Sequence, residues 1–318
     1  MIEFVLAIMA GLALLVWSAD KFIDGASATA HHLGLSLLFI GMVVIGFGTS
    51  APEMIVSAMA AANGAPDLAL GNAYGSNIAN LTLILGATAL TMPIRIESPL
   101  ISREIPLLIA ATIISLLLLL DRQLQRLDAL LLLGLFAAYL IWAYRSARQS
   151  RDDDLAREVA VEIPSLRLPV ALFWLFIGLL LLLASSKLLV WGAVGLAESF
   201  GVSDLIIGLT VVAVGTALPE LASSITAARK HQHDIALGNI IGSNFFNTLS
   251  VVGIAGSIHP SSLPEDLLWR DFPVMLALTC GLVLIAFSRR QRRLISRYDG
   301  AALLLIFVAY TSVLLLTR

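Results

Sequence analysis

Residues 46–53, GFGTSAPE, interrupt a run as apolar as a membrane span, with LSLLFIGMVVI before them (35–45) and MIVSAMAAA after (54–62). Proline lacks an amide hydrogen and clashes with the carbonyl one turn earlier, so a helix does not pass smoothly through Pro52. Proline does fit the first turn of a new helix. The stretch therefore predicts two half-helices joined by an unwound GTSAP, with carbonyls from about Gly46 to Thr49 released from helical bonding and Glu53 in the first turn beyond. Irregular backbone at membrane depth is tolerated only where it is buried or lines an aqueous cavity. An ionisable side chain there costs at least about 2.5 kcal/mol on insertion scales, so Glu53 reads as functional by default.

Composition agrees that the surroundings are a membrane. Hydrophobic residues make up 58% of the 318, charged residues 13%, and the mean hydropathy is +0.92, against a charged share of roughly 25% in soluble domains. Apolar runs predict an all-α polytopic protein with ten spans: 3–30, 36–62, 67–91, 100–120, 125–145, 168–197, 203–229, 234–257, 267–288 and 298–317. The N-terminal run lacks a basic leader and reads as the first span rather than a cleaved signal. The polar insert 146–167 divides the chain into 1–145 and 168–318; its run Asp152 to Asp154 reads as solvated linker rather than a cation site. Cys280 stands alone in an apolar stretch, which excludes an internal disulfide and leaves a packing role.

Basic residues set the expected orientation. With the N-terminus outside, the inward connections hold Lys21, Arg95, Arg103, Arg145, Arg148, Arg151, Arg157, Arg167, Arg229, Lys230, Arg289, Arg290, Arg292, Arg293 and Arg297. Only Arg122, Arg126, Arg270 and Arg318 fall outside. The positive-inside bias therefore predicts both termini on the extracytoplasmic side, and makes the RRQRR cluster a topology signal rather than a nucleic-acid patch.

The interrupted span has a second copy. Residues 41–86 align without a gap to 208–253, an offset of 167, with 19 of 46 positions identical. Five spans per half is an odd number, so the second half must enter the membrane from the opposite side, which predicts inverted repeats with broken helices 2 and 7. The shared positions are mostly oxygen-bearing side chains, glycine and proline: Gly48/Gly215, Thr49/Thr216, Pro52/Pro219, Glu53/Glu220, Asp67/Asp234, Asn72/Asn239, Ser76/Ser243, Asn77/Asn244 and Asn80/Asn247. A scaffold repeat would have preserved its packing residues instead.

The companion stretches GNAYGSNIAN (71–80) and GNIIGSNFFN (238–247) supply the rest of the site. Ser76 and Asn80 lie four apart on one helix face, as do Ser243 and Asn247. Gly71, Gly75, Gly238 and Gly242 share that spacing and would admit a neighbouring helix closely. Two carboxylates, amide oxygens, hydroxyls and backbone carbonyls, with neither thiolate nor imidazole, suit Ca²⁺, Na⁺ or Mn²⁺ better than zinc or copper.

GTSAPE with GNAYGSNIAN, and GTALPE with GNIIGSNFFN, resemble the paired alpha-repeat motifs of the calcium/cation antiporter superfamily, within it the prokaryotic sodium/calcium exchanger-like proteins. The resemblance covers essentially the whole chain. It implies a bacterial inner-membrane antiporter working by alternating access, with no cofactor, and Ca²⁺ with Na⁺ or H⁺ as its transported partners. Carried over by motif, Glu53 and Glu220 would be the shared Ca²⁺ carboxylates, joined by Thr49, Ser50, Ser76 and Asn80 from the first repeat and Thr216, Ser243 and Asn247 from the second. The serine before the proline motif is present as Ser50 but replaced by Ala217 in the second repeat, so one hydroxyl ligand is missing. Sliding of spans 1 and 6 to gate access also rests on that resemblance.

Two carboxylates balance one Ca²⁺ or two monovalent ions, and facing each other without cations they would resist the switch between inward and outward states. Were protons the counter-ion, Glu53 and Glu220 would carry them. A passive channel would conduct without a counter-ion, and an intramembrane enzyme would need a nucleophile, base and orienting group that the motifs lack. Asp67 and Asp234 are expected as helix caps, Asp20 and Lys187 as groups near helix ends, and His31 and His32 as solvated loop residues. The sequon NLT at 80–82 would lie inside the membrane and is fortuitous.

Overall fold

The computed structural model describes residues 1–96, 103–149, 163–200, 213–288 and 294–316. The expected linker run Asp152 to Asp154, the RRQRR cluster and the opening of the seventh span at 203–212 lie outside them. The chain is mostly helical. In order come α1 (Ile2–Leu33), α2 (Leu37–Thr49), α3 (Ala51–Ala62), α4 (66–91), α5 (Ile105–Leu118), α6 (Arg126–Gln149) and α7 (Leu168–Ser199). They are followed by α8 (Ala213–Thr216), α9 (Leu218–Arg229), α10 (His233–Ile258), α11 (267–288) and α12 (Arg297–Leu316). Six of these helices are long and apolar enough to cross a membrane, and α2 with α3, bent by 44°, makes a seventh.

Burial follows composition. The apolar window of α10 is wholly buried, whereas α1, α7 and α12 turn Leu6, Leu180 and Leu305 outward. An outward apolar face is what lipid, rather than water, would cover. Helices α1 and α7 pack along their whole lengths, and small residues let their backbones meet: a Cβ added to Gly25 would lie 2.4 Å from the Leu175 nitrogen. The same device seats α10 against α2, where a Cβ on Gly242 would lie 2.1 Å from the Met42 carbonyl oxygen. Gly71 and Gly75, expected to act alike, have no atom of the described residues within 4 Å of such a Cβ.

Short pairings clasp the connections. Strand β1 (Ile94–Arg95) pairs antiparallel with β4 (Leu294–Ile295), and β2 (Gln123–Leu124) with β3 (Ser261–Ser262). Lys230, at the end of α9, bonds Asp20 at 2.7 Å and also Asp24, tying α9 to α1. Asp20 and Lys187 thus lie well inside 32-residue helices rather than near their ends. Helix α1 also runs further than expected and takes in His31 and His32, ending at Gly34, which adopts the left-handed conformation that glycine tolerates. Asp67 and Asp234 are not caps: each is the second residue of its helix, after Ala65 and Gln232 at the cap positions. There they still complement the helix dipole.

Candidate functional site

The break is sharper than the proline alone predicts. Residues Gly46–Thr49 remain helical, the amide of Ser50 bonds the Gly46 carbonyl at 3.0 Å, and Ser50 alone leaves the helix before α3 resumes. The second break repeats this at Ala217, whose amide bonds Val214 O at 3.1 Å. The expectation of a freed run of carbonyls is therefore corrected to a one-residue joint. The reason is geometric: Pro52 is the second residue of α3, so its ring and missing amide disturb only the turn immediately before.

The glutamates follow at once. Glu53 and Glu220 are each the third residue of their half-helix, where unpaired amides and the positive end of the dipole favour an anion. They are 3% and 2% exposed, and among the described residues neither belongs to an ion pair. A buried carboxylate without a counter-charge is strongly penalised. Their Oε2 atoms, with Ser243 Oγ and Asn247 Oδ1, are buried and have no hydrogen-bond partner among the described residues.

Hydrogen bonds between residues far apart in sequence bring the two motifs into one site. Ser50 Oγ donates to Glu220 Oε1 at 3.5 Å, linking the first break to the second carboxylate. Thr49 Oγ1 lies 3.1 Å from both Ile45 O and Asn239 Oδ1, either of which can accept its proton. Asn80 Nδ2 donates to Asn244 Oδ1 at 2.9 Å, which leaves the Asn80 amide oxygen as the atom able to ligate. Asn77 Nδ2 donates to Thr248 Oγ1 at 2.8 Å. Ser76 and Thr216 are half-buried, on α4 and at the end of α8. The helix geometry changes here too: π-helical segments occupy Asn80–Ile84 and Phe246–Val251. Such wider turns recur at functional sites.

Comparison with known proteins places this geometry. Residues 3–145 and 170–316 match the sodium/calcium exchanger protein family. The chain belongs to the sodium/calcium exchanger family. It is 47% identical over 306 residues to CaxA of Alkalimonas amylolytica, covering 95% of this chain and 96% of that one. It is 41% identical over 286 residues to the inner membrane protein YrbG of Escherichia coli, covering 89% and 88%. The fold matches the sodium-calcium exchanger NCX_Mj soaked with zero Na⁺ and Ca²⁺, with a TM-score of 0.85, 29% identity and 98% of each chain covered. The family is one of membrane transporters rather than an enzyme family, and the match bears out the expected antiporter class.

Some participants were not foreseen as such. Ser57 and Ser224 receive Asn72 and Asn239 at 2.9 Å each. Both serines are repeated at the offset of 167 and were in that sense visible. Thr248 was not, because its counterpart in the first repeat is Leu81.

Proposed function

We propose that this protein is a secondary active antiporter exchanging Ca²⁺ for Na⁺ by alternating access at a site between two inverted five-span repeats, 1–145 and 168–318, joined by a cytoplasmic linker. The observation that carries this is the Ser50–Glu220 hydrogen bond of 3.5 Å, which puts the first break and the second carboxylate in one buried cluster. Glu53 and Glu220 provide the charge, and Thr49, Ser50, Ser76, Asn80, Thr216, Ser243 and Asn247 provide neutral oxygen. The orphaned oxygens of Glu53, Glu220, Ser243 and Asn247 fit hard cations as substrates. No cofactor and no protein partner enters the cycle.

The ten-span topology draws support from which connections meet. The β1–β4 clasp joins the connections after spans 3 and 9, and the β2–β3 clasp those after spans 4 and 8. His32 bonds Leu166 O at 2.7 Å, linking the end of α1 to the connection after span 5, and Arg122 lies 3.7 Å from Glu265. Each pairing joins connections that an alternating ten-span path puts on one side. The positive-inside bias of the connections supports both termini lying outside the bacterial inner membrane.

Exchange follows from charge balance. One Ca²⁺ or two Na⁺ neutralise the two carboxylates, so the loaded forms cross between access states while the unneutralised form is held back. The test is ⁴⁵Ca²⁺ uptake into proteoliposomes driven by an outward Na⁺ gradient or, separately, by a pH gradient. Uptake with Na⁺ alone supports this reading, uptake with the pH gradient alone makes the counter-ion H⁺, and uptake with neither overturns the exchange.

A further inference from the structure

Two amides outside the proposed ligand set clip each glutamate-bearing half-helix to its neighbour. Asn72 Nδ2 donates to Ser57 Oγ at 2.9 Å and to the Glu53 carbonyl oxygen at 3.3 Å. At the equivalent position Asn239 Nδ2 donates to Ser224 Oγ at 2.9 Å and to the Glu220 carbonyl oxygen at 3.2 Å. The same bonds recur at nearly the same lengths in two segments that share fewer than half of their residues. Asn239 Oδ1 also lies 3.1 Å from Thr49 Oγ1 and can accept its proton, so both ends of this wholly buried amide face a partner.

The position of these amides on their helices is informative. Asn72, Ser76 and Asn80 follow one another at four-residue steps, as do Asn239, Ser243 and Asn247, so each amide shares a helix face with the two proposed ligands above it. Across the interface, one amide grips both ends of a single helical turn, from the Glu53 carbonyl to the Ser57 hydroxyl. A half-helix gripped this way neither slides nor rotates against its neighbour without breaking both bonds. The backbone that carries Glu53 is consequently held in register with the face bearing Ser76 and Asn80, and that of Glu220 with the face bearing Ser243 and Asn247.

Resting on the exchange reading above, we infer that Asn72 and Asn239 are positioning residues that set the width of the cation cage, and so its discrimination among divalent ions of different size. Ca²⁺ takes oxygens at roughly 2.3–2.6 Å, and a cage held to a fraction of an ångström favours it over a larger ion. Interhelical hydrogen bonds contribute modestly to membrane-protein stability, so variants lacking one clip are expected to fold.

The test uses full-length Asn239→Ala, Asn72→Ala, Ser224→Ala and the hydroxyl-retaining Ser224→Thr. Binding is read from the stabilisation of detergent-solubilised protein against heat by Ca²⁺, Sr²⁺ and Ba²⁺, and transport from ⁴⁵Ca²⁺ uptake with Ba²⁺ competition. The alanine variants are expected to need roughly tenfold more Ca²⁺, as for one lost orienting hydrogen bond, and to lose part of the preference for Ca²⁺ over Ba²⁺. Ser224→Thr should keep the wild-type preference. Unchanged Ca²⁺ affinity and Ca²⁺/Ba²⁺ preference, with only the melting temperature or maximal rate reduced, would make the amides packing residues and overturn the inference. A wild type stabilised by Ca²⁺ that takes none up under any gradient would instead overturn the exchange reading, while the binding comparison still decides the clip.

Discussion

Glu53 and Glu220 differ in what surrounds them although their motifs match. Ser50 precedes the first proline motif and its hydroxyl reaches Glu220 Oε1 at 3.5 Å; the equivalent Ala217 has none to offer Glu53. Restoring it by Ala217→Ser is expected to lower the Na⁺ concentration for half-maximal ⁴⁵Ca²⁺ release by a few-fold, as for one added oxygen contact worth about 1 kcal/mol. An unchanged Na⁺ dependence would show that the second repeat makes no use of a hydroxyl there. Removing charge has a larger effect. In Glu220→Gln the amide keeps the shape but halves the formal charge, and Ca²⁺ affinity should fall roughly a hundredfold, about 3 kcal/mol for breaking a buried pairing of charges. Uptake by Glu220→Gln at wild-type Ca²⁺ affinity would remove Glu220 from the site. Both carboxylates were legible in the sequence, because an ionisable group beside a helix-breaking proline in an apolar run is costly to insert and so marks a functional position. Thr248 was not legible, since its bond to Asn77 exists only once α4 and α10 cross.

At the scale of elements, two features do most to position these side chains. The first is the break, a single residue rather than an unwound loop, which turns α3 by 44° from α2. The second is the close seat of α10 on α2. A Cβ at Gly242 would stand 2.1 Å from the Met42 carbonyl oxygen and 2.6 Å from its Cα, and backbone cannot give way as a side-chain tip can. Gly242→Ala is therefore expected to lower thermal stability in detergent by the equivalent of about 1–3 kcal/mol. Gly281→Ala, where no described atom lies within 4 Å of the added carbon, should leave the melting temperature unchanged or slightly raised. Equal melting temperatures for the two variants would mean that the α2–α10 seat is looser than described. The π-helical turns at Asn80 and Phe246 are a feature of elements that residue type does not announce. Each is a turn with i to i+5 bonding, a geometry that no residue type requires.

For the whole molecule the sharpest expectation concerns sidedness. The connections 63–65 and 230–232 are equivalent under the repeat, and Gly64 and His231 both adopt positive φ there, 75° and 60°. On the proposed inverted arrangement they nonetheless lie on opposite sides of the membrane. In a Cys280→Ala background, Asn63→Cys in intact cells should react with a membrane-impermeant maleimide from outside, while His231→Cys should react only after permeabilisation. Labelling of both from the same side would refute the inverted arrangement.

Membrane setting, doubled motif and oxygen-rich chemistry were all readable from the linear chain, because they follow from composition, from a gapless internal alignment and from residue type. How the halves interlock was not: Ser50 on Glu220, Asn80 on Asn244, and Asn239 clipping the turn at Glu220 while receiving Thr49 emerge only from the folded molecule. A hydrogen bond between residues 164 to 190 positions apart depends on how helices cross and rotate in three dimensions. Those crossings are set by close backbone approach at glycines; spacing pointed to Gly242, but that it meets Met42 while Gly71 and Gly75 meet no described atom is decided by the packed helices alone.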